Sequence, residues 1–155
     1  MIVVYSTIIL FALVIFLFGG NIIDYALAFL IRCDSSDQCI GTIGSDQMRG
    51  DSNSNTMFGG LGDDQMYGLD GDDSLLGDHG NDLIVGGKGD DTIVGDFGAD
   101  RISSGTGNDV IYHADEGSFP DDSRDVIDCG DGNDEVWLNT SDRDVARNCE
   151  IIHAG

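Results

Sequence analysis

Hydrophobic residues recur at a fixed interval through residues 41–112. One large apolar residue occupies the eighth position of each nine-residue unit, and the first six positions are mostly glycine and polar residues. The last three residues of a unit, such as Gln65-Met66-Tyr67, predict a very short strand whose middle side chain points inward. One core residue per unit makes a sparse core. The eight apolar positions are Met48, Met57, Met66, Leu75, Ile84, Ile93, Ile102 and Ile111.

Glycine and aspartate keep the same register. The first position is glycine in every unit except at Ser104, and the fourth is glycine except at Asn53. Glycines at fixed places in a loop predict either positive φ or backbone packed too closely for a Cβ atom, and asparagine is the usual substitute in the left-handed region. The sixth position holds Asp46, Asn55, Asp64, Asp73, Asp82, Asp91, Asp100 and Asp109.

Two units, Gly59–Tyr67 and Gly86–Val94, fit the pattern GGxGxDxUx, in which U is a large apolar residue. On these residues the chain resembles the RTX, or hemolysin-type, calcium-binding repeat family. The resemblance implies an all-β fold, a right-handed parallel β-roll (β-solenoid) in which two consecutive repeats form one turn. It also implies that several calcium ions lie between the loops of neighbouring turns.

The resemblance further implies which residues bind the ions. Sixth-position residues that follow one another along one edge of the roll would share ions, for example Asp64 with Asp82 and Asp82 with Asp100. The alternate repeats would do the same along the other edge. The implied metal ligands are Asp46, Asn55, Asp64, Asp73, Asp82, Asp91, Asp100, Asp109 and Asp134.

Calcium also fits the chemistry of these residues. Because the core is sparse, a ligand that binds only the folded chain would supply stability that burial does not provide. Calcium accepts about six to eight oxygens from carboxylates and backbone carbonyls. Glycine-rich loops leave those carbonyls accessible, and the repeated aspartate supplies the carboxylates.

Charge restricts the partners of this 155-residue chain, whose length allows one domain. Seven basic against 29 acidic residues give a net charge of −22. Such a chain repels nucleic acid and anionic membrane surfaces, which leaves cations as its natural partner. About six divalent ions would cancel about twelve of these charges. Without calcium, the abundance of Gly, Ser and Asp predicts disorder.

The N-terminal segment, residues 1–28, differs in kind. It contains the apolar run Ile2–Phe18 and ends in Ala26-Leu27-Ala28, which matches the small-x-small pattern of a signal-peptidase site. We interpret it as a cleavable signal peptide; an uncleaved membrane anchor is the alternative, because the run approaches the length of a membrane span. Either interpretation places the repeats outside the cytoplasm, where calcium modules bind at about 10⁻⁴ to 10⁻³ M.

Four cysteines in an exported chain favour two disulfides. Cys33 and Cys39 lie within residues 29–40, which we interpret as an N-terminal cap with a degenerate repeat, and a bridge between them would close that end of the roll. Cys129 and Cys149 bracket the last repeat and could close the opposite end, although four cysteines allow three pairings. Neither spacing resembles that of a structural zinc site.

The C-terminal part departs from the strict repeat. Residues 113–119 predict a surface loop, and residues 120–137 predict two further repeats, the first of them degenerate. The second of these provides Asp134 as an ion ligand and Val136 as a core residue. Residues 138–155 lose the glycines and are interpreted as a C-terminal cap, because a solenoid needs terminal segments that cover its ends.

These features predict a secreted or cell-surface module that binds calcium and folds on binding it. The alternative is a structural, adhesion or matrix protein of the cell surface that uses calcium as a folding switch and has an extracellular partner. The sequence contains neither the H-E-x-x-H pattern of metalloproteases nor the G-x-S-x-G nucleophile elbow. Little chain remains outside the repeats for a catalytic domain, and no enzymatic activity is expected.

Overall fold

The computed structural model describes residues 30–33, 38–112, 123–138 and 143–154. Within these ranges the chain forms strands and turns, with no helix. The strands are β1 (Leu30–Arg32), β2 (Cys39–Ile40), β3 (Gln47–Arg49), β4 (Thr56–Leu61), β5 (Gln65–Asp70), β6 (Ser74–His79), β7 (Leu83–Lys88), β8 (Thr92–Phe97), β9 (Arg101–Thr106), β10 (Val110–Tyr112), β11 (Val126–Asp131), β12 (Glu135–Leu138), β13 (Val145–Arg147) and β14 (Ile151–Ala154).

All strands pair in parallel and form two seven-stranded sheets. The odd-strand sheet has the order β1-β3-β5-β7-β9-β11-β13, and the even-strand sheet has the order β14-β12-β10-β8-β6-β4-β2. Consecutive strands therefore alternate between the sheets, and each pair of repeats completes one turn. In β5 and β7, for example, Met66 lies opposite Ile84. The prediction of an all-β, parallel β-solenoid is confirmed.

The core lies between the two sheets and consists of the eighth-position side chains. These side chains are at most 3% exposed in all eight tandem repeats. Along β5, Met66 is buried, whereas its neighbours Gln65 and Tyr67 are exposed and half-buried. The inward direction predicted for the middle residue of each strand is thus confirmed. One buried side chain per repeat stacks on the equivalent residue of the next turn.

The longest strands have six residues, twice the length that the three-residue pattern predicts. The chain continues through the first three positions of the next repeat, as in β5, where Leu69 lies opposite Gly87. The reason is that the parallel ladder does not stop at the buried first-position glycine. Backbone pairing therefore extends over more residues of each repeat than the three-residue apolar pattern does.

Disulfides lie near both ends of the roll. Cys33 bonds to Cys39 with an S–S distance of 2.02 Å, and Cys129 bonds to Cys149 with an S–S distance of 1.96 Å. Of the three pairings that the sequence allowed, the structure has the one that joins neighbouring cysteines. The predicted disulfide at each end is confirmed.

The roll continues beyond the eighth repeat. Strand β9 pairs with β11, and Ile102 lies opposite Ile127, so the register is kept across the intervening residues. Strands β13 and β14 then add a further turn on β11 and β12. The predicted surface loop at residues 113–119 and the N-terminal segment at residues 1–28 lie outside the described residues. The part of the chain that is described forms no helix long and apolar enough to cross a membrane.

Candidate metal centre

The sixth-position residues lie in the bends that join the two sheets. Each directly precedes a strand, so residues before odd-numbered strands stack along one edge and those before even-numbered strands along the other. Their exposed fraction is at most 3%, although all but Asn55 carry a carboxyl group. The first edge contains Asp46, Asp64, Asp82 and Asp100, and the second contains Asn55, Asp73, Asp91, Asp109 and Asp134.

One oxygen of these carboxylates, Oδ1, accepts a backbone hydrogen bond from the preceding turn. Oδ1 of Asp82 accepts a hydrogen bond from the backbone N–H of Asp64, one turn earlier, at 2.8 Å. The same bond links Asp73 to Asp91 at 2.8 Å on the other edge. Because it satisfies a buried N–H group in every turn, this ladder gives the sixth position a structural role apart from any ion. Residues predicted to share an ion are therefore joined by a hydrogen bond.

The second oxygen has no such role in most of these bends. Oδ2 is buried and has no hydrogen-bond partner in six of the bends, those of Asp64, Asp73, Asp82, Asp91, Asp109 and Asp134. A buried carboxylate oxygen without a partner costs free energy. Its repeated occurrence at one register position indicates a ligand that is positively charged or donates hydrogen bonds.

First-position glycines provide the space beside these oxygens. A Cβ atom added to Gly77 would lie 2.3 Å from Oδ2 of Asp82 and 2.7 Å from the carbonyl oxygen of Gly95 in the next turn. A carboxylate oxygen and a carbonyl oxygen thus face one small space that any side chain would fill. The close approach predicted for the first position is confirmed here, whereas positive φ occurs at the fourth position, as in Gly80 with φ of 141°.

Burial changes the acidity of the carboxyl groups. Desolvation raises the pKa of Asp64, Asp73 and Asp82 to about 6 and that of Asp91 to about 7, against the lowering effect of the backbone N–H bond that each accepts. Nearby carboxylates, such as Asp109 beside Asp91, raise the pKa further. Burial likewise raises the pKa of Asp134. A cation in the bends would favour the ionised forms.

Fifth-position residues form a second ladder that the sequence interpretation missed. Backbone N–H groups donate to the fifth-position side chain of the preceding turn, from Asn81 to Oδ1 of Asp63 at 2.8 Å and from Asn108 to Oδ1 of Asp90 at 2.7 Å. These side chains are exposed, and their bonds run opposite to those of the sixth position. The recurrence of Asp and Asn at the fifth position was the available signal.

Three further acidic residues occupy the bends of the last turns. Oδ1 of Asp125 accepts the N–H of Asp100 at 2.8 Å, and Oδ1 of Asp144 accepts that of Asp125 at 3.0 Å. Glu150 takes the same place beside Asp134, whose N–H it accepts at 3.0 Å. Asp125 precedes an apolar strand as in the other repeats and could have been included. Glu150 could not, because its segment has lost the glycines that define the register.

The bends of Asp46 and Asn55 differ from the rest. Oδ2 of Asp46 accepts the N–H of Thr42 at 2.5 Å, and Oδ1 of Asn55 accepts the N–H of Asp51 at 2.9 Å. No three His, Cys, Asp or Glu side chains converge on one point among the described residues. Calcium accepts backbone carbonyl oxygens and water as well as carboxylates, so such a cluster is not required for it to bind.

Comparison with known proteins identifies the tandem repeats. The profile of the RTX calcium-binding nonapeptide repeat (4 copies) matches residues 40–75 and again residues 76–111. No curated protein matches the chain, and no solved structure matches it. The matched residues contain the sixth-position residue of all eight tandem repeats, from Asp46 to Asp109. Residues 40–111 of this chain therefore belong to the RTX calcium-binding nonapeptide repeat family.

Proposed function

We propose that the bends of the roll bind calcium and that binding folds the chain into its solenoid. The observation on which the proposal rests is the set of buried Oδ2 atoms that have no hydrogen-bond partner in six bends. Calcium, when bound, supplies positive charge and further coordination for such oxygens. The carboxylates hold the ion, and their Oδ1 atoms keep neighbouring turns in register at the same time.

The donor set favours calcium over magnesium. Beside Gly77, Oδ2 of Asp82 and the backbone carbonyl oxygen of Gly95, which lies on the next turn, border the same space. Backbone carbonyls and single carboxylates suit the larger ion, which tolerates irregular geometry, whereas magnesium requires a near-ideal octahedron and keeps its water. The bends therefore fit calcium better than magnesium.

Coupling to folding follows from charge. The chain carries a net charge of −22, and most of its sixth-position carboxylates are buried in two closely stacked rows. Without cations, the carboxylates of successive turns repel each other within each row. Their desolvation adds to the free-energy cost of folding. Binding to the folded chain alone therefore shifts the equilibrium toward the roll.

An extracellular setting suits this function. Two disulfides are stable in oxidising compartments, and calcium outside cells reaches the concentration at which extracellular modules bind it. We assign the roll no catalytic role; it acts as a secreted or cell-surface calcium-binding module.

Circular dichroism tests the proposal directly. The purified chain is stripped with EDTA and titrated with calcium, with magnesium as the control. We expect a coil spectrum that changes to a β spectrum near millimolar calcium and does not change with magnesium. A β spectrum that persists unchanged in EDTA would contradict calcium-dependent folding.

A matched pair of variants localises the effect to the buried oxygens. Asp82→Asn removes one charge from a buried bend, whereas Asp63→Asn removes one charge from the exposed fifth position. Both retain an oxygen that accepts the ladder hydrogen bond. Asp82→Asn should raise the calcium midpoint several-fold, and Asp63→Asn should leave it within about twofold, since exposed charges interact weakly. Equal shifts would mean that net charge, not the bends, determines binding.

A further inference from the structure

The loops of the first two tandem repeats, Gly41–Asp46 and Gly50–Asn55, close differently from the six later bends in which Oδ2 has no partner. In each, the N–H of the second residue donates to the side chain of the sixth, from Thr42 to Asp46 and from Asp51 to Asn55. Oδ2 of Asp46, the atom that has no partner in six later bends, therefore has one here, and the single side-chain oxygen of Asn55 is also used. These two loops therefore satisfy their sixth-position side chain with the chain's own backbone.

The backbone conformation of the second residue separates the two kinds of loop. It has positive φ in every bend with an unpartnered Oδ2, for example 106° at Gly60 before Asp64 and 92° at Leu69 before Asp73. Thr42 and Asp51 do not have positive φ. Because the second residue's conformation sets the direction of its peptide group, Thr42 and Asp51 direct that N–H at the sixth side chain, whereas the second residues of the six bends with an unpartnered Oδ2 do not.

Local side chains stabilise this alternative closure. Oγ1 of Thr42 accepts the N–H of Gly44 at 3.2 Å, and Oδ1 of Asp51 accepts the N–H of Asn53 at 2.8 Å. Thr42 is β-branched, and a β-branched residue strongly disfavours positive φ. The side chains of Thr42 and Asp51 thus stabilise the conformation in which the N–H takes the place that an ion would have.

On the basis of the calcium binding proposed above, we propose that the first two loops bind no calcium and form a hydrogen-bonded, ion-independent end of the roll. Asn55 lacks the charge that a calcium ligand contributes, and its oxygen is already used. Asp46 has the charge, but its Oδ2 already accepts an N–H bond. The Cys33–Cys39 disulfide lies next to these loops, since Cys39 pairs with Met57 in the even-strand sheet. Covalent and hydrogen bonds thus hold this end, and ions hold the later turns.

Native mass spectrometry at saturating calcium counts the bound ions and tests the proposal in the loop of Asp46, from which a substitution removes the charge. Asp46→Asn keeps an oxygen for the N–H of Thr42 and removes the charge, so the number of bound ions should equal that of the wild type. Asp82→Asn should lose at least one ion under the same conditions. Loss of an ion in Asp46→Asn would overturn the inference. Absence of bound calcium in the wild type would instead overturn the proposed function.

The second loop allows an independent test, in which substitutions are designed to create an ion site. These substitutions leave the contacts of the later turns unchanged. Asn55→Asp alone adds the missing charge but leaves the N–H of Asp51 in place, so the ion count should not change. Asp51→Gly combined with Asn55→Asp permits positive φ and should add one ion per chain. An additional ion in Asn55→Asp alone would show that charge was all the loop lacked and would contradict the inference.

Discussion

Asp64 and Asp82 lie one turn apart and are joined by a hydrogen bond from the backbone N–H of Asp64 to Oδ1 of Asp82 at 2.8 Å. The other oxygen of Asp82 is buried without a hydrogen-bond partner. One carboxylate therefore has two separable tasks, in which Oδ1 keeps the turns in register and Oδ2 is available to a cation. Substitutions that remove one task at a time distinguish them.

Asp82→Ala should destabilise the calcium-loaded roll more than Asp82→Asn. Both variants remove the charge, but alanine also leaves the buried N–H of Asp64 without an acceptor, which costs about 1 to 3 kcal/mol. Urea unfolding in saturating calcium measures the difference, and the edge of Asp73 and Asp91 should still bind its ions in both variants. Equal unfolding midpoints for the two variants would mean that the Oδ1 bond contributes nothing.

Calcium affinity should fall as the pH falls below about 7. Burial raises the pKa of Asp64, Asp73 and Asp82 to about 6 and that of Asp91 to about 7. Protons then compete with calcium for the same carboxylates, so the calcium midpoint at pH 5.5 should exceed that at pH 7.5. Calcium titrations followed by circular dichroism at the two pH values measure the shift.

The ion-free chain should respond to pH in the opposite direction. Between the ordinary aspartate pKa of 3.8 and the raised values, the folded state binds more protons than the unfolded state. Its stability in EDTA therefore rises as the pH falls through this window and is lost as the pH rises above it. A β signal in EDTA that grows from pH 7.5 to pH 5 would agree, and a signal that decreases would contradict the raised pKa values.

The sequence predicted the parts of this structure that depend on one side chain per repeat. The inward apolar residue at Met66 follows from a strict register, and the structure places it as the register requires. The same register identified Asp64 as the repeated acidic position, but the burial of its carboxylate was not predicted. The six-residue length of strands such as β5 was not predicted, because the backbone pairing of Leu69 and Asp70 with the next turn does not require a recurring apolar residue at these positions. Strand length here depends on the neighbouring turn and not on local residue types.

The backbone conformation of the second position could not be predicted from residue types either. Leu69, Asp78 and Asp96 have positive φ although none is glycine, whereas Thr42 and Asp51 at the equivalent places do not. Tertiary pairing across the turns imposes the strained conformation in the first group. The distinction between an ion-binding bend and a self-closed loop therefore depends on φ, which the Asp and Asn letters of the repeat do not specify.

Gly77→Ala should weaken both the roll and its calcium binding. The new Cβ atom would lie 2.3 Å from Oδ2 of Asp82 and 2.7 Å from the carbonyl of Gly95, so the backbone must shift and the space between these oxygens is filled. Overpacking of this kind costs about 1 to 3 kcal/mol. Isothermal calorimetry should give fewer ions or a lower affinity, with Ser74→Ala, on the exposed face of the same strand, as the control. Unchanged binding in Gly77→Ala would exclude this space as the ion's position.

Removal of the Cys129–Cys149 disulfide should cost more stability than removal of the Cys33–Cys39 disulfide. The first closes a loop with a sequence separation of 20 and the second one of 6. Loop-closure entropy makes the longer loop worth about 1 kcal/mol more, within a total of about 2 to 4 kcal/mol for each bridge. Trp137 is the single tryptophan of the chain, and its ring stacks between those of Tyr112 and His153 at centroid distances of 4.8 and 4.4 Å.

The fluorescence of Trp137 therefore reports on the turns that the Cys129–Cys149 disulfide joins. In saturating calcium, urea unfolding followed at Trp137 should show the lower midpoint for the Cys129→Ala, Cys149→Ala pair, and the Cys33→Ala, Cys39→Ala pair serves as the matched control. The reverse order would mean that the N-terminal bridge stabilises the roll more than its short loop accounts for. In that case the hydrogen-bonded loops beside Cys39 would depend on the Cys33–Cys39 disulfide, and the loops and the disulfide would stabilise that end cooperatively.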